Sequence, residues 1–139
     1  MLVRLEYKNK KLNIFFIIVH RSHTFGFILM TTHELKLLKK YFDGVVYGTK
    51  SVECRCYDEK REKMKEKDFI LFVSEGDSKL TKIVKVVVAD SFRDLLTEVG
   101  VERCLPGVGT VNDGVEIYNA IGSYREWKGQ VVAFEIALI

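Results

Sequence analysis

The chain has 139 residues, 47% of them hydrophobic and 12% aromatic, with ten glycines and one proline. That is enough apolar surface for a single core burying about two thirds of the unfolded area, and it excludes a disordered or linker-built chain. The formal charge of +3 is unevenly placed: residues 1–29 hold five Lys and Arg against one acid, leaving 17 bases and 18 acids from residue 30 onward, so any phosphate binding there must come from a local patch rather than a whole-surface field.

The first apolar run, "LNIFFIIV" at 12–19, is too short to span a membrane, which takes about 20 residues, and "HRSH" breaks it directly. No small-residue cleavage site of the A-x-A kind follows, so a signal peptide is not expected either. Two readings of residues 1–29 stay open. They form extra strands or a hydrophobic arm packed on the domain, or they are upstream translated sequence before a native start at Met30. The change of composition at Met30 tips the balance slightly to the second, with the domain proper at 30–139.

From Thr32 the apolar residues Leu35, Leu38, Tyr41, Phe42, Val45 and Val46 recur at spacings of three and four, which predicts a helix over 33–46. Thr31 and Glu34 read as its capping box and Gly48 as its stop. Residues 50–57 then alternate as a strand, with Val52, Cys54 and Cys56 on one face and Ser51, Glu53, Arg55 and Tyr57 on the other. "DEKREKMKEKD" (58–68) is a charged helical turn or solvated loop. "FILFV" (69–73) and "LTKIVKVVVAD" (80–90) predict a hairpin turning at Gly76. Ser91 with Asp94 opens a short helix that Gly100 ends. "CLPGVGTVNDG" reads as irregular, "VEIYNAIGSYREW" as mostly helical, and 130–139 as a last strand. Together these predict an α+β fold with a small, mainly antiparallel sheet or open barrel flanked by helices.

Three cysteines, Cys54, Cys56 and Cys104, form no evident disulfide framework. They read as small core residues in a reducing, cytoplasmic setting. His20 and His23 have no cysteine partner pattern around them, so neither a metal site nor any other cofactor is expected. Two groups attract attention instead. Glu53 and Arg55 leave one strand face roughly 7 Å apart, either as a solvated edge-strand pair of little energetic weight or as the wall of a cleft. In a cleft, Arg55 offers a planar donor fork to phosphate or carboxylate and Glu53 accepts from an amine. Lys50 adds a charge at the mouth, and it joins them only if it precedes the regular strand or sits at a bulge. Tyr118, Tyr124 and Trp127 read mainly as packing residues, with Tyr124 the best placed to face a ligand. "PGVG" (106–109) lacks the pattern of a phosphate-binding loop and reads as a turn.

The segment "YFDGVVYGTKSVECRCYDEKREKMKEKDFILF", with Gly48, Lys50, Glu53 and Arg55 spaced as G-x-K-x-x-E-x-R, resembles the signature of the ASCH domain, a branch of the PUA-like superfamily. "YDEKR", Asp68 before a strand, and the late "YREWKG" also look like its small bacterial members. The resemblance implies a PUA-like β-barrel flanked by helices, with a cleft that takes RNA or a nucleotide-like small molecule. The ligand-binding residues it implies are Gly48, Lys50, Glu53, Arg55 and Tyr124. One bacterial branch hydrolyses N4-acetylcytidine with a lysine, a threonine three residues later and a downstream glutamate. In this chain Lys50 and Glu53 stand at the first two positions, making them the catalytic pair if the protein is an amidohydrolase, and Glu98 and Glu102 are the candidates for the third. A module that acts through protein contacts alone is the remaining alternative.

Overall fold

A computed structural model describes residues 2–9, 12–19 and 27–139, with side chains from Met30 onward. The elements run β1 (Leu2–Asn9), β2 (Leu12–Val19), β3 (Phe27–Lys36), α1 (Lys39–Tyr47), β4 (Val52–Cys56), α2 (Glu59–Glu62), β5 (Phe69–Ser74), β6 (Asp77–Ala89), α3 (Phe92–Val99), α4 (Val101–Cys104), α5 (Val111–Asn119), α6 (Gly122–Arg125) and β7 (Val131–Leu138). His20 and His23 lie outside the described residues.

The strands join in one sheet in the order β1-β2-β3-β5-β6-β7-β4. All pairs are antiparallel except β3 with β5, which run parallel, so the sheet is mixed. It curls into a half-barrel with helices against it. Two apolar clusters fill its faces. One sets Leu95, Leu96, Cys104 and Tyr118 against Val52, Cys54 and Ala133. The other sets Phe42 and Val45 of α1 against Ile70, Phe72, Ile83 and Phe134. Strand β4 lies at the end of the sheet with both faces covered, which is why four of its five residues are buried.

The helix expected over 33–46 is displaced. Residues 31–36 belong to β3, paired from Thr32 opposite Phe69 to Lys36 opposite Val73, and α1 starts only at Lys39 behind Leu38, which makes no side-chain cap. The Thr31–Glu34 capping box is therefore wrong: a strand partner more than thirty residues away outweighs the local helical spacing. The helix stop is at Gly48, with φ at +80°, a conformation that suits glycine.

The hairpin of β5 and β6 turns at Glu75 and Gly76 as expected. So does α3, where the Ser91 side chain accepts from the Asp94 N–H and Gly100 terminates the helix. The stretch expected to be irregular is more ordered. Thr110 accepts from the Asp113 N–H and starts α5 inside it. Gly114 sits within α5 because a Cβ there would lie 2.7 Å from Val101 Cγ2 and 2.9 Å from Leu96 Cδ1. That glycine is a close helix contact rather than a breaker. Among the described residues, no helix is long and apolar enough to cross a membrane.

Candidate functional site

A cleft of about 320 Å³ runs along the β4 edge, between the start of α1 and the α5–α6 corner. The arginine and glutamate of β4 point to the side of Val132 and Phe134, their register partners on β7. Lys50 precedes the regular strand and so escapes its alternation. Its own N–H donates to Gly44 O at 2.9 Å, and Gly44 allows that approach because a Cβ there would be 3.1 Å from the Lys50 Cβ. The turn drives the lysine side chain inward, under α1.

The result is a chain of charge. Lys50 Nζ donates to Val52 O at 2.8 Å and to Cys104 O at 2.6 Å, and it lies 3.1 Å from Glu53 Oε2. The other oxygen, Glu53 Oε1, accepts from Arg55 Nε at 2.8 Å. Arg55 Nη2 donates to Lys36 O at 2.8 Å. Lys50 and Glu53 are only 3% and 5% exposed, so the solvated edge-strand reading is overturned. Lys50 is also at the floor, not the mouth: two carbonyls and a carboxylate fix its ammonium.

Glu53 Oε2 is buried, and its contact is the ion pair with Lys50 Nζ at 3.1 Å. Burial alone would push the Glu53 carboxyl up, but the charges of Lys50 and Arg55 and their donors outweigh it and hold it below the ordinary carboxylate range. Burial works against the charged form of Arg55 as well, and the Glu53 carboxylate together with the neighbouring Tyr124 phenol raises its pKa nonetheless. Arg55 is thus positioned by Glu53, by Lys36 O and by the Tyr124 hydroxyl, three acceptors for five N–H groups, and it lines the cleft.

Tyr124 lines the cleft and stacks with Phe92, ring centres 5.5 Å apart. Tyr118 stacks on Phe92 at 4.4 Å, nearly parallel, and is buried, so its role is mainly packing. Gly48 does not line the cleft; it ends α1. Glu98 and Glu102 are exposed and lie outside the lining. Residues with no sequence signal of their own complete the walls: Tyr41, whose ring centre lies 5.7 Å from Lys50 Nζ, Cys54, Leu105 and Lys36. The sequence offers Tyr41 as part of the apolar stripe and Cys54 as a core residue, neither as a cleft wall.

Cys54 donates to Cys104, with sulfurs 3.4 Å apart and no disulfide. Donating a hydrogen bond to that neighbour, together with burial, holds the proton on Cys54 and pushes its thiol well up, which suits a packed thiol and not a nucleophile. Among the described residues, no three His, Cys, Asp or Glu side chains gather as metal ligands.

The ASCH domain family matches this chain over residues 35–139. Among solved structures it is similar to the hypothetical protein PH0355, at 37% identity and a TM-score of 0.71, over 78% of this chain and 100% of that one. It is also similar to protein PF0455 from Pyrococcus furiosus, at 32% identity and a TM-score of 0.61, over 78% and 98%. A mutant of ZmASCH from Zymomonas mobilis shares the fold at 17% identity and a TM-score of 0.56, over 76% of this chain and 67% of that chain. No curated protein matches the sequence. The match takes in the whole G-x-K-x-x-E-x-R stretch and every element from α1 to β7, on a PUA-like sheet with its flanking helices, and the chain belongs to the ASCH domain family.

Proposed function

We propose that this chain is a binding module that holds a nucleotide, free or within RNA, in the β4-edge cleft. The observation that carries the reading is the state of Arg55: 15% exposed at the side chain, fixed by Glu53 and by Lys36 O, yet with donors left over beside Tyr124. A guanidinium held in place and only partly used is a prepared anion or base-edge contact, and an aromatic wall beside it supplies stacking. The cleft volume is at the lower end of the range of about 300–1,000 Å³ for small-molecule sites, which suits a nucleobase or nucleoside and not a larger cofactor.

The hydrolase alternative has less support. A catalytic base at Lys50 needs a free lone pair, and here the three N–H groups face Val52 O, Cys104 O and Glu53 Oε2. Neither Glu98 nor Glu102 lines the cleft to serve as a further acid.

The test is calorimetric titration of wild type and Arg55→Ala with single-stranded RNA and with the four nucleoside monophosphates. Loss of a charged contact is expected to weaken binding by about 1.5–3 kcal/mol, roughly 10- to 150-fold. Equal binding by the two proteins, or no binding by the wild type, overturns the reading.

A further inference from the structure

Tyr124 has a cleft on each side. Beyond it, away from Arg55, lies a second cleft of about 360 Å³, bounded by Phe92, Arg93, Tyr124, Arg125, Trp127 and Gly129. We propose that this second cleft takes the neighbouring nucleotide of a single-stranded RNA whose first base occupies the β4-edge cleft. The inference rests on the nucleotide reading above and sharpens it: the natural ligand is an oligonucleotide, bent around Tyr124.

Trp127 is the first reason. Its Nε1 donates to Gln130 O at 2.7 Å, and the Gln130 side chain is itself tied to Asp90 Oδ1 at 3.0 Å. The indole lies against Gly129, where a Cβ would come within 2.7 Å of Trp127 Cζ2. The ring is thus set by a hydrogen bond at its edge and a bare backbone beneath it, and it remains 36% exposed. A flat, immobilised and half-open aromatic surface loses little entropy on stacking with a base, and base stacking is indifferent to sequence.

Charge is the second reason. The Arg125 guanidinium makes no hydrogen bond or ion pair with any described residue, its backbone N–H alone donating to Ile121 O at 3.0 Å. Arg93 spends Nη1 on Asn112 Oδ1 at 2.6 Å and keeps the rest of its fork. Both are exposed. The opposing carboxylate, Asp90, is engaged by Gln130. Two cations beside a stacking surface match a sugar-phosphate backbone passing a base platform. Tyr124 lines both clefts, and single-stranded RNA is read by splaying adjacent bases apart over such aromatic side chains.

Trp127 is the only tryptophan in the chain, so indole fluorescence, excited at the red edge where the six tyrosines do not absorb, reports on this cleft alone. A mixed-sequence RNA pentanucleotide should quench Trp127 and bind about 5- to 100-fold more tightly than any nucleoside monophosphate. The monophosphates should bind without quenching. Trp127→Ala should remove the pentanucleotide's advantage and leave monophosphate affinity unchanged, with Trp127→Phe restoring part of it and circular dichroism confirming the fold of both. Equal affinity for pentanucleotide and monophosphate, an advantage that survives Trp127→Ala, or quenching by monophosphates alone overturns the second cleft while leaving the first intact. Failure of every nucleotide to bind removes both.

Discussion

The two sides of Tyr124 are built on opposite principles. On one side Lys50, Glu53 and Arg55 are buried and committed, each held by the others and by backbone carbonyls from α4 and β3. On the other, the Trp127 indole is held through one hydrogen bond and a glycine contact, and the Arg125 guanidinium by no hydrogen bond or ion pair among the described residues. Charges in the first group are part of the fold, because a buried ion without its partner is costly. Those in the second group contribute little to stability and are at the disposal of a ligand. A cleft that has to keep one geometry and a neighbouring surface that has to accommodate varied bases would differ in this way.

The contrast breaks most visibly at Lys50. Lys50→Met leaves Glu53 buried with half of its charge compensation gone and strips Val52 O and Cys104 O of their donor. Urea unfolding should show a loss of about 3–5 kcal/mol. A loss below about 1 kcal/mol would mean that the charge chain is not structural.

Glu53→Gln should change how stability depends on pH. Because the carboxyl in the fold sits below its usual value of 4.5, the unfolded chain takes up the proton first as the pH falls. Its stabilising contribution is complete above about pH 4.5 and is lost as the pH drops through the folded value. Wild type should therefore lose stability below that point more steeply than Glu53→Gln, as followed by thermal melts between pH 3 and 6. Parallel curves would remove Glu53 from the account.

Changes on the far side of Tyr124 should be much smaller. Gly129→Ala puts a methyl where the indole lies, so Trp127 must swing out. Its emission should shift towards the red, while stability changes by less than about 1 kcal/mol. Arg125→Ala should stay within about 0.5 kcal/mol of wild type in stability, yet weaken RNA more at low salt than at high salt. An Arg125→Ala variant with unaltered RNA affinity would show the cation to be idle.

What could be read in advance followed the range of the forces involved. The Ser91–Asp94 cap, the Gly100 and Gly48 stops and the turn at Gly76 are set by neighbours a few residues away, and all were legible. Residues 31–36 were not, because their strand state comes from β5. The start of α5 carried the same signal as that of α3, a hydroxyl residue with Asp three places on. It was hidden by Gly107, Gly109 and Gly114, the last of which serves packing against Val101 and Leu96.

For the site, the spacing pointed to Lys50, Glu53 and Arg55 but not to their depth. Lys50 is buried by Gly44 and by the carbonyl of Cys104, 54 residues further on, a contact that strand periodicity does not encode. Trp127 reads as packing in the sequence because its exposure depends on Gln130 and Gly129, whose effect is visible only in three dimensions.

The central claim is that Arg55 meets the ligand. Its Nε–H resonance, resolved by nitrogen–proton correlation spectra of labelled protein, reports the guanidinium directly, and Glu53 keeps that proton in a fixed hydrogen bond at 2.8 Å. Titration with cytidine monophosphate and the other three monophosphates should shift this signal progressively and saturably for at least one of them. A signal that stays in place while any nucleotide binds elsewhere on the protein would contradict the assignment of the cleft.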